Sequence, residues 1–372
     1  MGSRKNKIRV GIIFGGKSAE HEVSLQSAKN IIEAIDKNKY EVVTIGIDKN
    51  GRWLLNNSSG FLLNAGNPKL IKLNKETSEE LALMPGEATR QLVNLSGGGP
   101  TKPIDVAFPV LHGPFGEDGT VQGLLKLLDV PFVGAGVLGS ALGMDKEVQK
   151  RLLRAAGIPT AKFLAFDETL IINFKKIAKQ LGLPFFIKPV NMGSSVGIAK
   201  VVDERQFKNA VVEAFKYDRK IMAEEHIQGR ELECSVLGND KPTASVPGEI
   251  IVGDNHEFYS YEAKYIDENG AVLAIPAKLS LPIIKKVQDT AVRAFKTLCL
   301  EGMARVDFFL RNKNEVIVNE LNTIPGFTKI SMYPKLWEAS GVSYTELIDK
   351  LIMLAVERYA KEKKLRTSVD LT

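Results

Sequence analysis

Apolar runs separated by glycine-rich or charged turns divide this chain into recognisable elements. IRVGIIF, YEVVTIGI and DVAFPVL each carry enough consecutive Val, Ile and Phe for a buried strand, and GGKSAEHEVS after the first reads as a loop entering a helix. TVQGLLKLLDV has the helical period and PFVG closes this α/β unit. Between residues 51 and 103 the pattern weakens into NNSSG, NKETSEE and SGGGPTKP, which predicts an insertion with little regular structure.

A second unit begins near Met144. Asp145 can cap a helix through KEVQKRLLRAAG that Gly157 and Pro159 stop. KFLAF, a helix through IINFKKIAKQLG, the strand PFFIKPV and the loop NMGSSVG follow; Asp203 with Gln206 has the form of a capping box, and KIMAEEHI is a strand. The third unit runs through RELECSVLG, IIV, a loop carrying HEFYSYEAKY, the helix IIKKVQDTAVRAFKTL, a hairpin, and a last helix opened by Ser343 and Glu346. No internal repeat is present.

The hairpin carries the most chemistry. RVDFFL and EVIVNEL read as strands joined by RNKN, a turn that sets Asp307 near Glu320 across the ladder. Asn322 lies two residues beyond Glu320 and so points to the same face. Three hard oxygen donors, with Arg305 beside Asp307, suit Mg2+, which takes a few carboxylates and leaves positions for phosphate oxygens. A solvated polar strand face is the plainer alternative. Both strands are otherwise apolar, however, and a half-buried carboxylate pair needs a counter-charge.

Composition narrows the class. With 372 residues, 44% hydrophobic and 25% charged, the chain fits two or three ordinary globular domains. The net charge of +6 draws on RKNK and KEKKLR near the two ends, and no basic stripe with interleaved aromatics suggests a nucleic-acid partner. Two cysteines, Cys234 and Cys299, are too few for a disulfide framework and read as buried free thiols in a reducing compartment. No apolar run has the length of a membrane span and MGSRKNK is not followed by a signal-peptide core, so the expected location is the cytoplasm.

Other segments are weaker alone. In IKPVNMGSSVG, Lys188 precedes a loop with Gly193, Ser194, Ser195 and Gly197 that could cradle phosphate, although an ordinary turn would look similar. Glu224 and Glu225, with Glu231 beyond them, could meet adenine and ribose or simply be solvated acids; Lys146 is an ordinary helix lysine unless phosphate is near. His112, at a strand end before a glycine-rich loop, is where α/β proteins place ligand contacts, and equally where a structural histidine sits. His21 and Glu22 suggest a zinc-protease motif, but position 25 is Leu, so that reading fails.

Together, GGKSAEHEVSL, HGPFGEDG, GMDK, IKPVNMGSSVG, FYSYEAKY, ARVDFFL and NELNTIPGFTKISMYP resemble, in order and spacing, the bacterial D-alanine-D-alanine ligases of the ATP-grasp superfamily, over about residues 8–360. The resemblance implies a three-domain α/β and α+β architecture: a Rossmann-like unit over 1–143, a central ATP-grasp subdomain over 144–227, and a C-terminal subdomain over 228–372 with a lid loop and a magnesium site. It implies ATP and two Mg2+, or Mn2+, as cofactors, D-alanine as substrate, and a homodimer. Lys146, Lys188 and Lys264 would hold phosphates, with Ser194 and Ser195 above them; Glu224, Glu225, Ile227 and Glu231 would surround adenosine. Glu225 departs from the basic residue common in relatives. Asp307, Glu320 and Asn322 would hold the metals. Glu22 would face the ammonium of the first D-alanine beside His112, Ser331 and Met332 would receive the second, Arg305 and the Gly326 N–H would form an oxyanion hole, and Tyr265 would link through Ser194 toward Glu22 and favour the dipeptide over D-alanyl-D-lactate. A different ATP-grasp ligase should lack HEVSL and YEAKY, and a non-catalytic nucleotide binder should have lost a metal ligand or Arg305; all are present.

Overall fold

The structure, a computed structural model, describes residues 7–56, 60–76, 78–87, 91–97, 99–170, 172–253 and 271–366. Its first sheet is centred on Ile8–Gly15, paired in parallel with Tyr40–Ile47 on one side and Val106–Val110 on the other. These strands are apolar almost throughout because both faces are covered. Val10, Ile12 and Phe14 pack with Leu25, Ala28 and Ile31 of the helix His21–Ala34, while Ile13, Ile45 and Ala107 pack with Val121 and Leu125 of the helix Thr120–Leu127. The carboxyl ends of the parallel strands open onto the crevice where α/β sheets hold ligands.

Residues 53–100 overturn the expectation of an irregular insertion. Trp53–Asn56, Glu79–Leu83, Leu92–Asn94 and Gly99–Pro100 extend the first sheet beyond Tyr40–Ile47 to seven strands, and Leu62–Leu63 pairs with Lys72–Leu73 in a separate ribbon. Each strand is two to five residues long, too short for a period to emerge. What fixes them is a few buried anchors, Leu54, Leu73, Leu81 and Leu92.

The second sheet is antiparallel, in the order Phe163–Asp167, Lys220–Glu225, Phe185–Pro189, Ala199–Val201. Phe174 and Phe207, from the helices Phe174–Leu181 and Glu204–Ala214, close on Phe185 at ring separations of 6.1 and 6.1 Å. In the third sheet Gly302–Arg311 lies between Arg230–Gly238 and Glu315–Asn322, with Gly248–Val252 and Ala271–Ala274 beyond. The helix Leu281–Thr297 presses Val287, Ala291 and Phe295 onto Cys234, Val306 and Phe308. Asp145, Asp203 and Ser343 accept from the N–H groups of Val148, Gln206 and Glu346, the three predicted caps.

Cys234 is a buried thiol as expected, but Cys299 is exposed, because it lies in the tight turn after Leu281–Thr297 with φ 53°. The last helix, Tyr344–Glu362, returns to the first unit, where Arg358 donates to the carbonyls of Gly134 (2.5 Å) and Phe132 (2.8 Å). Among the described residues no helix is long and apolar enough to cross a membrane.

Candidate active site

The hairpin forms as its alternation predicts. Val306 and Phe308 enter the core, leaving Arg305 and Asp307 on the opposite face. Asp307 pairs directly with Glu320 and Arg305 with Asn322, and a bulge leaves Asn319 as the extra residue between Glu320 and Val318. On the other flank Glu233 stands opposite Asp307, so a row of three carboxylates crosses three strands. Arg305 compensates them: Nε and Nη2 donate to Asp307 at 2.7 and 2.8 Å, and Nε lies 3.0 Å from Glu233. Asn322 Nδ2 donates to Asp307 at 3.0 Å.

Two cavities meet at this face. The larger, about 410 Å³, is lined by Lys188, Ser195, Glu224, Glu225, Ile227, Glu231 and Asp307. The smaller, about 100 Å³, is lined by His112, Ser194, Arg305, Asn322, Gly326, Ser331 and Met332. Glu320 and Glu233 belong to both walls, and the neighbouring Ser194 and Ser195 face one cavity each. Those serines have φ 50° and 60°, left-handed values that cost a non-glycine residue of order 1–3 kcal/mol and are held by their surroundings.

Positive charge is concentrated behind the larger cavity. Lys146 Nζ donates to the Met192 carbonyl at 2.6 Å and stands 3.5 Å from Glu320. Lys188 pairs with Glu224, whose other oxygen is 2.6 Å from Lys150. Burial opposes the charge on Glu224, but the two ammonium groups outweigh it and hold the carboxyl below its usual range. Its carboxylate is thus already bound by lysines, and Glu231 and Ile227 line the same cleft. Glu225 accepts from the Lys162 N–H at 2.7 Å.

Among the described residues, one predicted site residue lies elsewhere. Glu22, in the first turn of His21–Ala34, pairs with Lys49 at 2.6 Å and is absent from both cavity linings. Partial burial opposes its charge, yet the ion pair prevails and holds it below the usual carboxylate range. Glu20, just before the helix, occupies the small cavity instead and accepts from Ser194 Oγ. Two glycines make the space: an added Cβ on Gly113 or Gly193 would lie 2.8 or 2.9 Å from Glu20 Oε2. Likewise a Cβ on Gly326 would lie 2.7 Å from Ser331 Oγ, which accepts from the Thr328 N–H at 2.9 Å.

His112 serves as a joint. Its Nδ1 lies 3.0 Å from the Ile324 carbonyl, so it must carry the proton there, leaving Nε2 to accept from Ser27 Oγ at 3.3 Å. Ser27 in turn accepts from the Phe327 N–H at 3.2 Å. Burial lowers the imidazole pKa, consistent with a neutral ring.

Sequence reasoning missed Glu20, Glu117, Lys150 and Glu233. For Glu233 a signal existed, since in RELECSV alternation puts Glu231, Glu233 and Ser235 on one face and Leu232, Cys234 and Val236 in the core. Glu117 lines the small cavity, and its pKa is raised by burial first and by the charge of Glu20 second. Lys264 and Tyr265 lie outside the described residues.

The donor set suits Mg2+. Among the described residues no three His, Cys, Asp or Glu form a metal cage, but Asp307 and Glu320 supply two carboxylates and Asn322 an amide oxygen, as fits an ion that keeps waters and phosphate oxygens.

The family profiles for the D-ala D-ala ligase N-terminus and C-terminus match residues 9–135 and 152–353. A D-alanine–D-alanine ligase of Shouchella clausii is 58% identical over 365 residues, covering 98% of each chain. The structure of the Coxiella burnetii D-alanine–D-alanine ligase superposes with a TM-score of 0.85 at 40% identity, covering 97% of each chain. The Bacillus anthracis ligase complexed with ATP gives 0.72 at 26% identity, covering 95% of this chain and 99% of that one. With both halves matched in order and the ATP-grasp architecture shared along the chain, this protein belongs to the D-alanine–D-alanine ligase family.

Proposed function

We infer that this chain joins two D-alanines into D-alanyl-D-alanine with the conversion of ATP to ADP, a step of peptidoglycan precursor synthesis. The observation that carries the reading is Glu320 in the wall common to both cavities: a metal-grade carboxylate stands where a nucleotide cleft meets a pocket sized for small amino acids. Phosphoryl transfer to a substrate carboxylate needs that meeting point.

In this reading ATP lies in the larger cleft, its adenosine among Glu224, Glu225, Ile227 and Glu231, and its phosphates near Lys146, Lys188 and the serine loop; the family resemblance adds Lys264, outside the described residues. Asp307, Glu320 and Asn322 would hold two Mg2+, or Mn2+, and the bound ions would neutralise charge on the transferring phosphoryl group. Glu20 faces the ammonium of the first D-alanine, a role that Glu22, turned to Lys49, cannot fill. The first carboxylate becomes an acyl phosphate, because a free carboxylate is a poor acyl donor. The amine of the second D-alanine then attacks the acyl carbon, and Arg305 with the Gly326 N–H stabilises the oxygen that becomes charged. Ser331 and the N-terminus of Met332–Ala339 receive the second carboxylate. Tyr265, outside the described residues, is the residue to which the family resemblance gives the exclusion of water, which would hydrolyse the acyl phosphate. The reading retains the division at 143 and 227, a cytoplasmic location and a homodimer; sedimentation at assay concentration tests the last.

The decisive assay is phosphate release from ATP with D-alanine, L-alanine, D-serine and D-lactate, singly and in pairs, with product analysis. D-alanine alone should support release and yield the dipeptide. Equal release with L-alanine, or preferential formation of a D-lactate or D-serine product, would overturn the assignment.

A further inference from the structure

Lys150 is fully buried in the helix Lys146–Ala155, one turn beyond Lys146. A buried ammonium is costly unless fully paired. Here Nζ lies 2.6 Å from Glu224 Oε1 and donates at 2.7 Å to the carbonyl of Asn319. Those partners belong to different functional halves. Glu224 is also the counter-ion of Lys188, and Asn319 is the bulge residue immediately before Glu320.

The helix gives this contact a second support. Gln149 donates from Nε2 to the Gly143 carbonyl at 2.8 Å and accepts at Oε1 from the Leu321 N–H at 3.1 Å. Successive helix residues thus grip the strand on both sides of Glu320. The bulge removes Asn319 from the regular ladder, and a bulge re-aims the side chain beside it. Lys150 supplies a hydrogen bond to its carbonyl and thereby fixes the direction in which the neighbouring carboxylate points.

We propose that Lys150 is a positioning residue that couples the nucleotide cleft to the metal face: through Glu224 it sets the place of Lys188, and through the Asn319 bulge it sets the place of Glu320. It touches neither substrate nor metal. This inference rests on the assignment of Lys188 to nucleotide phosphate and of Asp307, Glu320 and Asn322 to Mg2+.

The test compares the native chain, Lys150→Met and Lys150→Leu, both of which leave the Lys188–Glu224 pair balanced. Calorimetric titration of Mn2+ with a non-hydrolysable ATP analogue measures binding without turnover, and initial rates give KM for ATP and for each D-alanine. Removal of a residue supporting a metal ligand typically weakens metal binding about 10–100-fold. Lys150→Met should show that loss for Mn2+–nucleotide, raise the ATP KM by a similar factor, and leave the KM for the first D-alanine within about twofold, since Glu20 lies on another unit. Lys150→Leu, which likewise keeps Glu224 as the counter-ion of Lys188, should show the same loss, because the Asn319 bond is again missing. It also provides the reading should Lys150→Met fail to fold. Native-like Mn2+ binding in either folded variant would overturn the coupling, as would an equal rise in all KM values. If the native chain itself bound no Mn2+–nucleotide, the site assignment and the inference would fall together.

Discussion

The hairpin and the serine loop, which face each other across the small cavity, are held in opposite ways. On the hairpin every polar residue of the site stands back to back with an apolar neighbour in the core: Val306, Phe308, Val318 and Leu321 are 0–3% exposed. Nine cross-strand pairs join Gly302–Arg311 to Arg230–Gly238 alone. Residues 192–198 have no such ladder; the loop turns on Val196 N–H to Gly193 O (3.1 Å) and Ile198 N–H to Ser195 O (3.4 Å), with two left-handed serines. Its Ser194 reaches a carboxylate of another unit, Glu20. The difference teaches a division of labour: charge that must be placed to a fraction of an ångström is carried by sheet, and the wall that must admit substrate is carried by backbone held only at points.

The sharpest way to break this comparison is on the rigid side. Glu320→Gln keeps shape but removes the charge shared by both cavities, and phosphate release at saturating Mg2+ should fall about a hundredfold or more. Near-normal release would refute the metal assignment. Ser331→Ala, just beyond the hairpin, deletes the hydroxyl proposed to receive the second carboxylate and should raise the KM for the second D-alanine about tenfold, with the first little changed. Equal effects on both substrates, seen in initial rates over a range of D-alanine, would count against it.

On the loop side the expected effects are smaller. Ser194→Ala removes the tether to Glu20 and should raise the KM for the first D-alanine by about fivefold, with a lesser change in ATP KM, since a hydrogen bond to a charged group contributes about 1.5–3 kcal/mol and the loop can partly re-form. A rise confined to the second D-alanine would reverse the assignment of the two subsites. Smallest is a pH effect at Glu117. A carboxyl whose folded pKa is raised favours the protonated form, so its stabilising contribution is complete below the unfolded value and is lost as pH rises through the folded one. Glu117→Gln should therefore gain in Tm relative to the native protein, by about 1–3 °C, as pH increases from 4.5 to 8. A constant difference across that window would show that burial and Glu20 do not disfavour its charge.

What the sequence revealed follows the same physical line. Asp307, Glu320 and Asn322 were legible because strand alternation is strict and a short turn determines which residues meet. Glu20 and Glu22 could not be separated in that way. They flank the first helical residue, so one carboxylate turns back toward the loop while the other follows the helix outward to Lys49. No periodicity in AEHEV records where the helix begins. Lys150 sits four residues after Lys146, the spacing of one helix face, yet only the packed partners reveal that this face is buried. The strands within residues 53–100 escaped notice because two- to five-residue segments depend on the sheet edge they join rather than on their own pattern.

The His112 joint has a consequence for building hybrids of related enzymes. The relay from Ile324 through the imidazole to Ser27 and on to Phe327 passes twice between the N-terminal sheet with its first helix and the segment that follows the hairpin. Those two stretches are consequently one inheritable part, although more than two hundred residues of chain separate them. A graft that imports the N-terminal half of a relative without its own 324–327 segment would have to match an imidazole, a hydroxyl and two backbone groups from different ancestors. The short strands Glu79–Leu83, Leu92–Asn94 and Gly99–Pro100, seated at the far edge of the first sheet, take no part in that relay and are the natural place to exchange sequence.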